Sequence, residues 1–260
     1  MILGNAEKIK MLVRDSLARA IHVVRNREPI LLVAVLVLMM TCWAFIEIAD
    51  EVFDGTTGYF DRWAILHLRQ SDDLTKPIGP RWLAEAGRDI TGLGGVTILT
   101  LAIVASAGFL AVYRAYRTMV MLILSTSTGI AMSLVLKYLF ARPRPDVVPH
   151  LAEVYTSSFP SGHAMMSAVV YLTLAAIIAP VLKHFWLRFY VIGFSILVTG
   201  LIGTSRIYMG VHYPTDVLAG WAAGATWAIT CWLASSIFFS AKFDPVETPQ
   251  NIRAGVRQQT

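Results

Sequence analysis

Six long apolar stretches with few charged residues run at roughly 29–49, 90–113, 117–137, 163–182, 189–209 and 214–240. Each approaches or exceeds the ~20 residues an α-helix needs to cross ~30 Å of hydrocarbon at about 1.5 Å per residue. No other feature limits the fold as strongly, because a backbone inside lipid must satisfy its own hydrogen bonds and does so as a helix. With 56% hydrophobic and only 15% charged residues, and a mean hydropathy of +0.60, the 260-residue chain is too apolar for an ordinary soluble domain. The first stretch follows a charged segment of 28 residues without a convincing small-x-small cleavage site, which predicts a retained helix rather than a signal peptide. Cys42 and Cys231 both fall inside predicted spans, so neither a disulfide nor a cysteine metal site is expected. The expected architecture is an all-α polytopic membrane protein, six transmembrane helices with a helical core bundle. Residues 1–28 form an arm, 29–240 the membrane domain with a loop at 50–88, and 241–260 a tail. With no internal repeat or low-complexity segment, one domain is expected.

Orientation follows from the basic residues. Lys8, Lys10, Arg14, Arg19, Arg25, Arg27, Arg114, Arg117, Lys183, Arg188, Lys242, Arg253 and Arg257 fall on one side of a six-span plan, thirteen of the 22 lysines and arginines. Twelve of the 17 acids lie on or near the other side. The positive-inside rule puts both termini in the cytoplasm. A bacterial inner membrane with a periplasmic site is the expected setting.

The flanks carry less information. Ile9, Leu12, Leu17, Ala20, Ile21 and Val24 recur at helical spacing among basic residues, which suggests a helix lying on an anionic leaflet. In the 50–88 loop, the stretch Phe60 to Leu68 is expected as an interfacial helix, and Lys76-Pro77-Ile78-Gly79-Pro80 as a turn. The tail is polar, and disorder is expected there.

Against this apolar background, three short blocks concentrate ionisable residues, which are costly at membrane depth and therefore point to function. They are Lys137 with Arg144-Pro145, then Pro160-Ser161-Gly162-His163, then Ser205-Arg206 with His212 and Asp216. The six-span plan brings all of them to one membrane surface. Lys137, Arg144 and Arg206 supply a point charge and two planar donor forks, suited to the oxygens of a phosphate. Pro160, Ser161 and Gly162 open the fourth span, where free N–H groups and the helix dipole favour an anion and glycine permits close approach. His163 there can donate a proton to a leaving alkoxide. His212 is placed at the end of the loop before the sixth span, with Asp216 four residues on. A carboxylate on one ring nitrogen leaves the other free to attack. A histidine beside a carboxylate is also a metal pattern, but no third or fourth ligand stands at a suitable spacing. No metal and no cofactor are expected.

These residues resemble a known signature. Lys137, six residues and Arg144-Pro145, then Pro160-Ser161-Gly162-His163, then Ser205-Arg206, five residues, His212, three residues and Asp216 look like the three motifs of the type 2 phosphatidic acid phosphatase family. The six-span plan is similar to its membrane lipid phosphate phosphatase branch. The likeness covers about 29–240, and the register puts the family's arginine on Arg144, with Arg142 left as a second-tier contact. The resemblance implies a metal-independent reaction through a phosphohistidine. His212 would be the nucleophile, Asp216 its orienter and His163 the acid and later base. Lys137, Arg144, Ser161, Gly162 and Arg206 would hold the phosphate, with Pro160 and Ser205 beside them. The residues by themselves leave open a direct attack by water.

The expected substrate is a lipid phosphate entering from the outer leaflet, with membrane lipids as surroundings and no nucleic acid as a partner. Undecaprenyl diphosphate, phosphatidic acid, phosphatidylglycerophosphate and lipid A phosphates all present the same group to such a site. Soluble vanadium haloperoxidases share the motifs but have no use for six apolar spans. A non-catalytic lipid-phosphate binder or transporter is the alternative, although binding alone requires neither a nucleophile nor an acid.

Overall fold

The structure, a computed structural model, describes residues 29–152 and 156–238. The expected amphipathic arm and the polar tail lie outside the described residues. Among the described residues eight α-helices follow one another: α1 (Pro29–Phe53), α2 (Gly58–Leu66), α3 (Arg81–Gly92), α4 (Val96–Val112), α5 (Tyr116–Phe140), α6 (Gly162–Ile178), α7 (Phe185–Tyr208) and α8 (Pro214–Phe238). A 3₁₀ turn, Ala179–Val181, extends α6. Five of these helices are long and apolar enough to span a membrane, and α3 with α4 makes a sixth if the bent pair is one span. The protein is all-helical and multi-pass, as its sequence predicts.

The second span differs from expectation. In place of a continuous helix over 90–113, α3 and α4 meet at a break of 45°. Gly92, Gly94 and Gly95 stand at the break, where glycine lowers the cost of leaving the helix. Close approach is the reason at Gly94: a Cβ there would lie 2.5 Å from a methyl of Ile202 on α7 and 3.4 Å from the ring of His163 on α6. The Tyr171 hydroxyl, also on α6, donates to the Leu93 carbonyl at 2.9 Å and holds the break in place.

Helix α6 occupies the middle of the bundle. Ala164, Met165, Ala168, Val169, Val170, Thr173 and Ile177 are buried on several of its faces, as expected of a helix apolar all round. Its tightest neighbour is α8. A Cβ on Gly220 would lie 2.8 Å from the Ser161 carbonyl oxygen, and one on Gly224 2.5 Å from that of Met165. Gly220 and Gly224 stand one turn apart and meet Ala164 and Ala168, also one turn apart. Lipid tails are as apolar as leucine, so close contact between small residues, rather than hydrophobic exclusion, holds such helices together. Helix α1 sits outermost, with Leu32, Val33, Leu36, Met39, Met40 and Trp43 exposed. It joins the bundle through Thr41, which accepts from Thr226 at 2.9 Å, and through Phe45 against Phe159.

The segment between α1 and α3 is more structured than a plain loop. Helix α2 covers most of the expected Phe60–Leu68 stretch, beginning at Gly58. An isolated bridge pairs Arg69 with Pro77, and Gly79 takes a left-handed φ of +91° in the expected turn. Arg69 is buried and donates to the Tyr208 carbonyl at 3.0 Å, which places a cation at the C-terminal end of α7.

Candidate functional site

Helix polarity gathers the three blocks at one end of the bundle. Lys137 lies in the last turn of α5 and Arg206 in the last turn of α7, while α6 begins just after Ser161 and α8 just after His212. The second and third blocks are joined directly, because the Ser161 N–H donates to the Asp216 carbonyl at 2.9 Å.

Three cations surround the start of α6. Lys137 extends toward it, so that a Cβ on Gly162 would meet the lysine Cε at 3.2 Å, and its ammonium donates to the Ser157 carbonyl at 2.7 Å. Arg144 donates to the Thr156 carbonyl and the Val211 carbonyl, each at 2.7 Å. Arg206 is buried and donates to the Thr91 hydroxyl at 3.2 Å, while its Nε has no acceptor among the described residues. The break between α3 and α4 thus delivers a residue to the site. Ser161 is the N-cap residue of α6, but its buried hydroxyl does not cap the helix and has no hydrogen-bond partner among the described residues. Buried donors left without acceptors cost about 1–3 kcal/mol each, and here they sit at the start of a helix, where an anion is favoured. Pro160 precedes the cap, and Ser205 turns its hydroxyl back to Ile202 of its own helix.

The histidines occupy different surroundings. His163 has no hydrogen-bond partner among the described residues, and the charges of Arg206, Arg144 and Lys137 all act on its ring. His212 is buried in the loop before α8. Arg144 Nη1 lies 3.2 Å from its Nε2. A guanidinium can only donate, so this contact makes Nε2 the acceptor and puts the ring proton on Nδ1. Burial pushes the His212 pKa down to about 4 against the opposing pull of Asp216, which keeps the ring neutral.

The sequence suggested a carboxylate bonded directly to His212, and the geometry departs from that. Asp216 Oδ2 lies 3.6 Å from Nδ1, beyond hydrogen-bond range. The Ser158 hydroxyl contacts both, donating to Asp216 and lying 3.4 Å from Nδ1. Asp216 also accepts from the Tyr213 N–H at 2.8 Å and from Arg142 at 2.7 Å. Arg142 is therefore engaged with carboxylates, since its other arm reaches Asp61 at 2.7 Å. Within this set, Lys137, Arg142, Arg144 and Arg206 outnumber Asp61 and Asp216, and the surplus of positive charge matches a dianion.

Asp61, Thr91, Ser158 and Thr215 were not singled out in the sequence. Ser158 and the two threonines carry no spacing signal. Asp61 did carry one, as the single carboxylate of α2, set beside Arg62 among aromatic and aliphatic residues.

The fold and site define a multi-pass membrane protein with a buried cationic site at one end of its helical bundle. The PAP2 superfamily model matches residues 117–239. Phosphatidylglycerophosphatase B of Bacillus subtilis (strain 168) is 37% identical over 146 residues, covering 55% of this chain and 70% of that protein. An undecaprenyl-diphosphatase of Sulfolobus acidocaldarius is 36% identical over 109 residues, covering 40% of this chain and about half (48%) of that protein. Among solved structures, the transmembrane PAP2-type phosphatidylglycerolphosphate phosphatase from Bacillus subtilis superposes with a TM-score of 0.63 at 26% identity, covering 79% of this chain and 96% of that one. The chain belongs to the PAP2 superfamily.

Proposed function

We propose that this protein is a lipid phosphatase acting through a phosphohistidine, without a metal, at the periplasmic face of a bacterial inner membrane. The observation that carries this reading is the orientation of His212, with Nε2 toward Arg144 and Nδ1 toward Ser158 and Asp216. A neutral imidazole held in that tautomer presents a lone pair beside a phosphate-binding cation, the condition a nucleophile needs.

The steps follow from the residues present. Lys137, Arg144, Arg206, the Ser161 hydroxyl and the Gly162 N–H bind the phosphate oxygens and stabilise the charge they carry in the transition state. His212 Nε2 attacks phosphorus and forms a P–N bond while the P–O bond to the lipid breaks. His163, protonated in the loaded site, gives its proton to that lipid oxygen. A water then attacks phosphorus, His163 takes its proton, and the P–N bond breaks to release inorganic phosphate. Cationic side chains take the place of the divalent ion that many phosphatases use.

The names of the relatives support a lipid substrate bearing a terminal phosphate or diphosphate. Undecaprenyl diphosphate, phosphatidic acid, phosphatidylglycerophosphate and lipid A phosphates share that group. Entry from the outer leaflet lets the tails stay in hydrocarbon while the headgroup reaches the cations. Phosphate release from each of the four lipids in detergent tests the substrate. Rapid quench with ³²P-labelled lipid tests the route, with an acid-labile, alkali-stable label expected on the protein and absent from His212→Ala. Unimpaired turnover by His212→Ala would overturn the covalent mechanism.

A further inference from the structure

We infer that Asp61, on α2, is a positioning residue for the reaction: through Arg142 it fixes the carboxylate of Asp216 and hence the ring of His212. The inference rests on the phosphatase reading above.

Asp61 and Asp216 are both fully buried, and they lie on either side of one guanidinium, with Arg142 Nη2 2.7 Å from Asp61 Oδ2 and Nη1 2.7 Å from Asp216 Oδ1. Asp61 is also bound to the first turn of α8, accepting from the Thr215 N–H at 3.2 Å and from its hydroxyl at 2.7 Å. Arg142 Nη1 donates to that same Thr215 hydroxyl at 2.9 Å, and its guanidinium carbon lies 4.6 Å from the centre of the Tyr213 ring. Apart from the Thr57 hydroxyl, which accepts from Arg142 Nη2 at 3.4 Å, every group in this network belongs to the 213–216 turn or is clamped on it. That turn follows His212 directly and carries Asp216.

Two features separate this from a merely structural ion pair. Stability alone gives little reason to bury a second carboxylate, since desolvating a charge costs several kcal/mol. What Asp61 adds is direction. With one carboxylate on each arm, the guanidinium cannot rotate toward the phosphate or pull Asp216 away from Ser158 and His212. Asp61 also satisfies an N–H at the start of α8 that would otherwise lack an acceptor. The element supplying it, α2, lies outside the three motifs, so the membrane-surface segment takes part in setting the geometry of the nucleophile.

The test is Asp61→Asn in the full-length protein in detergent, on whichever lipid phosphate the wild type turns over. This nearly isosteric change removes the charge. The expected result is a kcat lowered about ten- to hundredfold, with KM and inhibition by inorganic phosphate unchanged, because the phosphate-binding cations are not touched. The double variant Asp61→Asn/Asp216→Asn should be no slower than Asp216→Asn, since both act through one line of contacts. Wild-type kcat in Asp61→Asn, losses that multiply in the double variant, or a kcat loss equal to the loss of folded protein would each overturn the role. If Asp61→Asn does not fold, Thr215→Val, which cuts one link of the network, should show the same selective loss of kcat in smaller measure, and wild-type kcat there overturns it. His212→Ala run alongside separates the two levels. A fully active His212→Ala brings down the phosphatase mechanism itself, whereas an inactive His212→Ala with wild-type Asp61→Asn brings down the positioning role alone.

Discussion

The backbone N–H of Ser161 donates to the carbonyl of Asp216 at 2.9 Å, tying the start of α6 to the first turn of α8 without any side chain. The turn proposed to bind the phosphate and the support of the proposed nucleophile are thereby joined directly. The glycine contacts just below let the two helices come that close.

Gly220→Ala is therefore expected to disturb the site as well as the fold. Its Cβ would lie 2.8 Å from the Ser161 carbonyl oxygen, a backbone atom that cannot step aside alone. Overpacking of this kind costs about 1–3 kcal/mol, so both the melting temperature in detergent and kcat should fall. Gly200→Ala on α7, where an added Cβ meets nothing within 4 Å, is the control and should change neither.

A second expectation concerns protonation of His212. Burial holds its pKa at about 4, below the ~6.5 of a free imidazole. The folded state therefore keeps the ring neutral as pH falls, and the stability this contributes is present above pH ~6.5 and lost as pH drops toward the folded value. Ring ¹⁵N NMR, with the resonance assigned by its absence in His212→Gln, should show a neutral ring protonated at Nδ1 at pH ~5.5. A ring that charges near its ordinary value would contradict the buried, Arg144-facing geometry.

Arg142 and Arg144 stand two residues apart and should fail differently. Arg142→Leu leaves Asp61 and Asp216 buried without their counter-charge, a change that costs about 3–5 kcal/mol. Loss of folded protein is expected to dominate. Arg144→Gln should fold, because that side chain leans on backbone carbonyls rather than on a buried carboxylate, and should show weaker inhibition by inorganic phosphate. Equal melting temperatures for the two variants would refute this division.

Metal removal should have no effect on turnover. Activity is expected to survive exhaustive EDTA, and orthovanadate is expected to inhibit by adopting the five-coordinate geometry of the transition state. Activity lost to EDTA and regained with magnesium would require a different reading of the cationic site.

Sidedness can be read with one cysteine. On a background with Cys42 and Cys231 replaced by serine, Ser71→Cys in the exposed turn after α2 should react with an impermeant maleimide added outside intact cells. A C-terminal reporter should be active only in the cytoplasm. Labelling that needs the cytoplasmic side opened would invert the topology and the route by which substrate arrives.

Much of this protein was legible in one dimension. Hydrophobic length dictates helices, because a backbone in lipid has no other hydrogen-bonding solution. An ionisable residue in or beside such a stretch stands out by its cost, which is why Lys137, His163, Arg206, His212 and Asp216 were visible without coordinates. The parity of the spans even brings them to one surface. Other features depended on distances between helices that no local pattern encodes. The break at Gly92–Gly95 follows from how near α6 and α7 lie to Gly94, and it supplies Thr91 to Arg206. The register of α6 on α8 comes from Gly220 and Gly224 meeting backbone carbonyls. Arg142, two residues before Arg144 in sequence, is turned instead onto Asp61 and Asp216, because two buried carboxylates need a counter-charge and take one arm of the guanidinium each. Chain composition set which groups had to be hidden from lipid, and only tertiary packing decided which of them face one another.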